Sequence, residues 1–191
     1  MLISGRVCGL LLVCLAACSS PESNKDPVFE AKFQNEKRIG EEAITKRQIR
    51  DAEYVVDAAS RKMLLLEISQ LATRKAASPD TRYTAQNVTA QTTTLLGGLK
   101  ALAQQKSITL PTGLSEAQGT QAGELTALNG AAFDQKYQEV LSAVLDTDED
   151  AADNIKDDAY DADLRAIAAQ HVTVLQDLDR AANALHDKLK P

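Results

Sequence analysis

Two histidines, three cysteines and one long acidic run are the residues of this chain best equipped for chemistry. The cysteines, Cys8, Cys14 and Cys18, all lie within the first eighteen residues. A zinc centre draws on a cluster of Cys and His ligands and a disulfide framework on spaced cysteine pairs, so neither is expected. Of the histidines, His171 falls between Ile167, Ala168, Val174 and Leu175, whereas His186 sits beside Asp187 near the C-terminus and reads as a surface residue. Glu67 falls in the same way between Met63, Leu64 and Leu71. A charge on an apolar stripe is costly unless it is paired. Glu67 and His171 are therefore a candidate buried polar pair, the alternatives being two boundary residues that reach solvent or part of a metal site. One Glu and one His are too few for a di-metal centre, which takes several carboxylates and Glu-x-x-His pairs from facing helices. No resident metal or cofactor is expected.

The acidic run holds Asp146, Asp148, Asp150, Asp153 and Asp157. Its first three imitate the leading ligands of an EF-hand calcium loop. The glycine that loop needs for its sharp turn is replaced by Ala151, and its closing bidentate Glu by Asp157. The expectation is a solvated helix face that gathers cations weakly, with like charges repelling along it. No nucleophile elbow, phosphate loop or His-Glu-x-x-His occurs, so no enzyme is expected. With a formal net charge of -6, the chain also lacks the clustered cations that bind nucleic acid.

The cysteines belong to a leader. Arg6 is the first charge, an apolar run spans Val7 to Ala17, and Ser19-Ser20-Pro21-Glu22 follows. That run is too short to cross a bilayer, which takes about 20 apolar residues, and reads as the core of a signal peptide. Leu15-Ala16-Ala17-Cys18 resembles the lipobox of bacterial lipoproteins. The resemblance implies acylation of Cys18 after residues 1–17 are removed. That cut takes away Arg6 and no acid, shifting the formal charge from -6 to -7. Ser19 is not the aspartate associated with inner-membrane retention, so the outer membrane, facing the periplasm, is the expected location.

Positioning these residues falls to helices. Residues 18–45 read as a lipidated tether and weakly held lead-in, and 46–191 as the folded domain. Apolar residues recur at helical spacing from about Arg47 to Ala77, with Val56, Met63, Leu64 and Ile68 on one face. Ser78-Pro79-Asp80 is an N-terminal capping signal for a second helix to about Lys106. Within it Thr92-Thr93-Thr94 and Gly97-Gly98 are poor helix formers, and the paired glycines suggest close approach of a neighbour. Pro111 and Gly113 interrupt the chain, and Ser115 caps a short helix ended by Asn129-Gly130. A third long helix uses Phe133, Tyr137, Leu141 and Val144, and a fourth, capped by Asp161, uses Leu164, Ala168, His171, Leu175 and Leu178. The fold predicted is all-α: an antiparallel four-helix bundle with an N-terminal helical lead-in and a short helix between helices 2 and 3.

Three segments, Glu67-Ile68-Ser69-Gln70-Leu71-Ala72, Leu110-Pro111-Thr112-Gly113-Leu114-Ser115 and Gly130-Ala131-Ala132-Phe133-Asp134-Gln135-Lys136-Tyr137, stand in an order that resembles the domain of unknown function 4142 family. The resemblance runs from about Asp51 to Leu185. It implies a small exported bacterial protein with a ferritin-like bundle. It also implies a core site with a glutamate on the first helix and a histidine on each of the others. Of these only Glu67 is present; the histidine positions hold Gln91 or Thr92, Leu145 and Leu178. The expected function is a non-catalytic interaction or envelope-stress module, held at the membrane by its lipid anchor and meeting an unknown periplasmic protein partner. The alternative is a ferritin-like metal-binding or redox protein.

Overall fold

The computed structural model describes residues 26–41 and 46–190, which form six helices and, among the described residues, no strand. The segment expected to be a signal peptide, Cys18 and most of the expected tether lie outside the described residues. The helices are α1 (Pro27–Glu41), α2 (Lys46–Lys75), α3 (Pro79–Gln105), α4 (Glu116–Ala127), α5 (Gly130–Asp158) and α6 (Ala162–Leu189). None is long and apolar enough to cross a membrane.

Local chemistry sets the boundaries. The Ser78 hydroxyl accepts the backbone N–H groups of Asp80 and Thr81, with Pro79 opening α3. Ser115 and Gln118 form a reciprocal capping box on α4, and Asp161 accepts from Asp163 and Leu164 at the start of α6. These contacts satisfy donors that a helix N-terminus leaves unpaired. Gly130 starts α5 with φ +61°, a conformation that other residues resist. Within α3, Thr89, Thr93 and Thr94 return their hydroxyls to the carbonyls of Ala85, Thr89 and Ala90, and the segment is helical through to Gln105. The paired glycines do not mark a close approach: a Cβ at Gly97 or Gly98 would meet nothing within 4 Å.

Hydrogen bonds fix the helix directions. Ser69 of α2 meets Tyr137 of α5, while Asp51 meets Asp161 just beyond the other end of α5, so α2 and α5 are antiparallel. Lys106, following α3, pairs with Asp161 and Asp163 at the start of α6, and Asp80 at the start of α3 pairs with Lys188. α3 and α6 are therefore antiparallel too. α2 and α6 each pack against both α3 and α5. Because α3 and α5 run the same way, the chain between them must travel the length of the helices, and α4 lies in that crossover. The core between the long helices holds Leu65, Ile68, Leu99, Leu141, Leu175 and Leu178, each 1% exposed or less.

The N-terminal lead-in is more firmly held than expected. Asn35, 2% exposed, both donates to the Thr109 carbonyl at 2.8 Å and accepts its N–H at 2.6 Å. Lys32 pairs with Asp57 of α2 at 2.7 Å. Asp26 accepts the Glu116 N–H at 2.9 Å as well as those of Val28 and Phe29, and these backbone donors, Glu116 foremost, hold its carboxyl below the usual range.

Candidate functional site

The inward stripe of α2 runs Val55, Ala58, Lys62, Leu65, Ser69 and Ala72, all buried and spaced alternately by three and four residues. That register places a lysine in the core. The stripe of α5 likewise runs Leu141, Leu145, Asp148, Ala152 and Ile155. Lys62 and Asp148 meet there with both side chains fully buried, the ammonium donating to Oδ2. Arg61 donates from Nε to the other carboxylate oxygen at 3.0 Å and is itself mostly covered.

Counting along the hairpins brings two further polar residues to this level. Lys62 is thirteen residues before the end of α2 and Thr92 thirteen after the start of α3. Asp148 is ten residues before the end of α5 and His171 nine after the start of α6. Each long helix thus contributes one polar side chain to a common layer: Lys62, Thr92, Asp148 and His171, all 2% exposed or less. The Thr92 hydroxyl and His171 Nδ1 find no hydrogen-bond partner among the described residues, nor does the Tyr54 hydroxyl nearby.

The electrostatics follow from burial. Desolvation, and then the Lys62 charge, pulls the His171 pKa down to about 4, against a smaller opposing pull from Asp148. The imidazole is therefore neutral at physiological pH. Burial lowers the Lys62 pKa, opposed by Asp148. Burial raises the Tyr54 pKa, and the Asp148 carboxylate pushes it further. Chemically, this is an internal ion pair that ties α2 to α5, with its carboxylate saturated by two cations and its ammonium out of reach of solvent.

The structure separates Glu67 from His171. Glu67 is exposed and borders a shallow groove with Met63, Leu66, Gln70, Gly113 and Leu114. It lies five residues beyond Lys62, well off the inward stripe, and α2 and α6 sit diagonally with α3 and α5 between them. The candidate buried pair is thus corrected to Lys62 and Asp148. A register of α2 centred on Met63 and Leu64 is turned by part of a helical turn from the observed one and leaves Lys62 off the inward face. The regular run from Val55 to Ala72 was the signal that could have found it. His186 is exposed as expected, its Nδ1 3.2 Å from Oε1 of Gln138.

The acidic run is likewise corrected at one position. Asp146, Asp150, Asp153 and Asp157 are exposed, but Asp148 is a core residue. The stretch is continuous helix in α5, not a loop, and Lys156 pairs with Asp153 and Asp157. Burial, and then Asp146 and Glu149 across the interface, raise the Asp179 pKa.

The residues present do not fit the metal site that the resemblance implies. Leu145 and Leu178 carry no donor atom, Glu67 faces solvent, and the buried ammonium of Lys62 repels a cation from the polar layer. Among the described residues, no three His, Cys, Asp or Glu gather closely enough to hold a metal ion.

No curated protein and no solved structure matches this chain. A family model does, over residues 37–185, which takes in α2 to α5 entirely and nearly all of α6. That span covers most of the chain, including every residue of the buried polar layer, and the protein belongs to the family described as domain of unknown function 4142 (DUF4142).

Proposed function

We propose that this protein is a lipoprotein anchored to the outer membrane through Cys18, presenting to the periplasm a non-catalytic helical module that binds a protein partner. Its four long helices form an antiparallel four-helix bundle of the ferritin-like kind. The parallel course of α3 and α5, which demands one long crossover, supports that topology. The leader residues Leu15-Ala16-Ala17-Cys18 support the anchor. Several acyl chains, each contributing ~0.8 kcal/mol per buried CH₂, hold a protein durably where a single chain does not.

The buried Lys62–Asp148 pair carries the non-catalytic reading. In ferritin-like metalloproteins the centre of the bundle gathers carboxylates and histidines around metal ions. Here the same depth is occupied by a cation that belongs to the protein, neutralising the one carboxylate present. The interior is committed to holding helices together, which leaves the outer surface to do the work.

Labelling cells with radioactive palmitate and measuring the metal content of the purified protein test the two halves. Labelled wild-type protein, unlabelled Cys18→Ser and no stoichiometric metal are expected. Label that persists in Cys18→Ser would refute the anchor. Stoichiometric iron, manganese or zinc that is lost in His171→Leu would replace this function with metal binding or redox chemistry.

A further inference from the structure

α1 has two unlike faces. Ala31, Asn35 and Ile39, four residues apart, are buried and face the body of the protein. On the opposite side Phe29 and Phe33 stand in solvent, 63% and 49% exposed, with rings stacked 6.4 Å apart at 11°. Two large aromatic side chains side by side on an outward helix face are expensive to leave in water, and such patches mark contact sites.

We infer that this face of α1 is a lipid-docking surface, on which Phe29 and Phe33 enter the membrane interface and lay the helix along it. The inference rests on acylation of Cys18. Only seven residues separate Cys18 from Asp26, a reach of about 28 Å even when fully extended. Asp26 is pinned to the body through the Glu116 N–H, so the tether leaves at a fixed point, and the phenylalanines lie within the first two turns beyond it. Any membrane holding the anchor is therefore close to this face. Charge agrees. α1 balances Glu30, Glu36 and Glu41 against Lys32, Lys37 and Arg38 and is neutral, on a chain whose expected mature charge is -7. Other, more acidic surfaces are repelled by anionic lipid. A second copy of the chain is a poorer occupant. Two phenylalanines bury about 500 Å² at most, against the ~800 Å² per partner of a stable interface.

The chain contains no tryptophan, so one introduced residue reports alone. Full-length acylated Phe29→Trp and Phe33→Trp variants, reconstituted into phosphatidylethanolamine and phosphatidylglycerol vesicles, are compared with Tyr83→Trp. Tyr83 is 75% exposed near the start of α3, whereas Arg38 and Ile39 of α1 border a cleft with Leu102 and Lys106 at the other end of that helix. With brominated acyl chains, both α1 variants are expected to lose most of their emission, and Tyr83→Trp little. Vesicle-bound protein in which the α1 variants stay as bright as Tyr83→Trp overturns the docking surface while leaving the anchor standing. Protein that carries no acyl group and fails to sediment with vesicles overturns both. A blue-shifted Phe33→Trp spectrum in a lipid-free dimer assigns the face to a second copy and overturns lipid docking.

Discussion

Asp51 and Asp134 perform the same task, each for the other's helix hairpin. Asp51, near the start of α2, accepts the N–H groups of Tyr160 and Asp161 in the turn between α5 and α6. Asp134, near the start of α5, accepts those of Ala77 and Ser78 in the turn between α2 and α3. Both carboxylates are buried, 5% and 2% exposed. The correspondence extends at the same separation of eighty-three residues to Tyr54 and Tyr137, Ser78 and Asp161, and Arg82 and Arg165. The two arginines bond equivalent carbonyls, Ala76 and Ala77 in one turn, Ala159 and Tyr160 in the other. The α2–α3 and α5–α6 hairpins share one pattern and clasp each other's turns.

Asp51→Ala and Asp134→Ala should therefore cost similar amounts. Each strands two backbone donors, a loss on the order of 1–3 kcal/mol per unsatisfied group where water cannot enter. Asn at either position keeps one acceptor and should cost less. Urea denaturation reads the ranking. An Ala variant as stable as wild type would show that water replaces the clasp.

At the polar layer, removing one partner should be far worse than removing both. Asp148→Leu leaves the Lys62 amine buried without its partner, a cost of about 3–5 kcal/mol. Lys62→Met combined with Asp148→Leu should recover most of that loss, since apolar replacement of a buried pair is often neutral or stabilising. A double-mutant cycle by urea unfolding measures the coupling. An additive cycle would mean that the pair does not act as a unit.

His171 makes stability depend on acidity. Its folded pKa of about 4 lies below the ordinary 6.5, so between those values the unfolded chain binds the proton more readily. Stability from this residue is full above pH 6.5 and is lost as pH falls towards 4, by on the order of 3 kcal/mol at most. Lys62 and Asp148 are the charges that act on the ring. His171→Leu should flatten the wild-type slope between pH 6.5 and 4 in thermal unfolding. Parallel pH profiles for the two proteins would contradict it.

Gly97→Ala and Gly98→Ala should stabilise the protein, since both positions are helical and neither has a neighbour within 4 Å. The gain expected is about 0.5–1 kcal/mol each. Gly130→Ala should have the opposite sign because φ there is +61°. Melting temperatures of the three variants decide it, and a destabilised Gly97→Ala would reveal a contact in solution that the fold does not display.

Helix ends were legible in the residues because capping is local. Ser78, Ser115 and Asp161 bond N–H groups two or three positions ahead, so type and spacing suffice to find them. The helical character of each long segment was legible for the same reason, since periodicity belongs to one stretch of chain. Lys62 and Asp148 were not. Each is an ordinary charged residue until the register of two helices, eighty-six residues apart in sequence, brings them together.

The sequence by itself determined the six-helix succession, the capped boundaries and the surface place of His186. Only the tertiary structure decided which charges are buried and which helices are neighbours. It set Glu67 in solvent and Asp148 in the core, although both belong to strongly helical segments. The physical reason is angular: five residues carry a side chain more than a third of the way around a helix, and only packing against other helices selects which side becomes the interior.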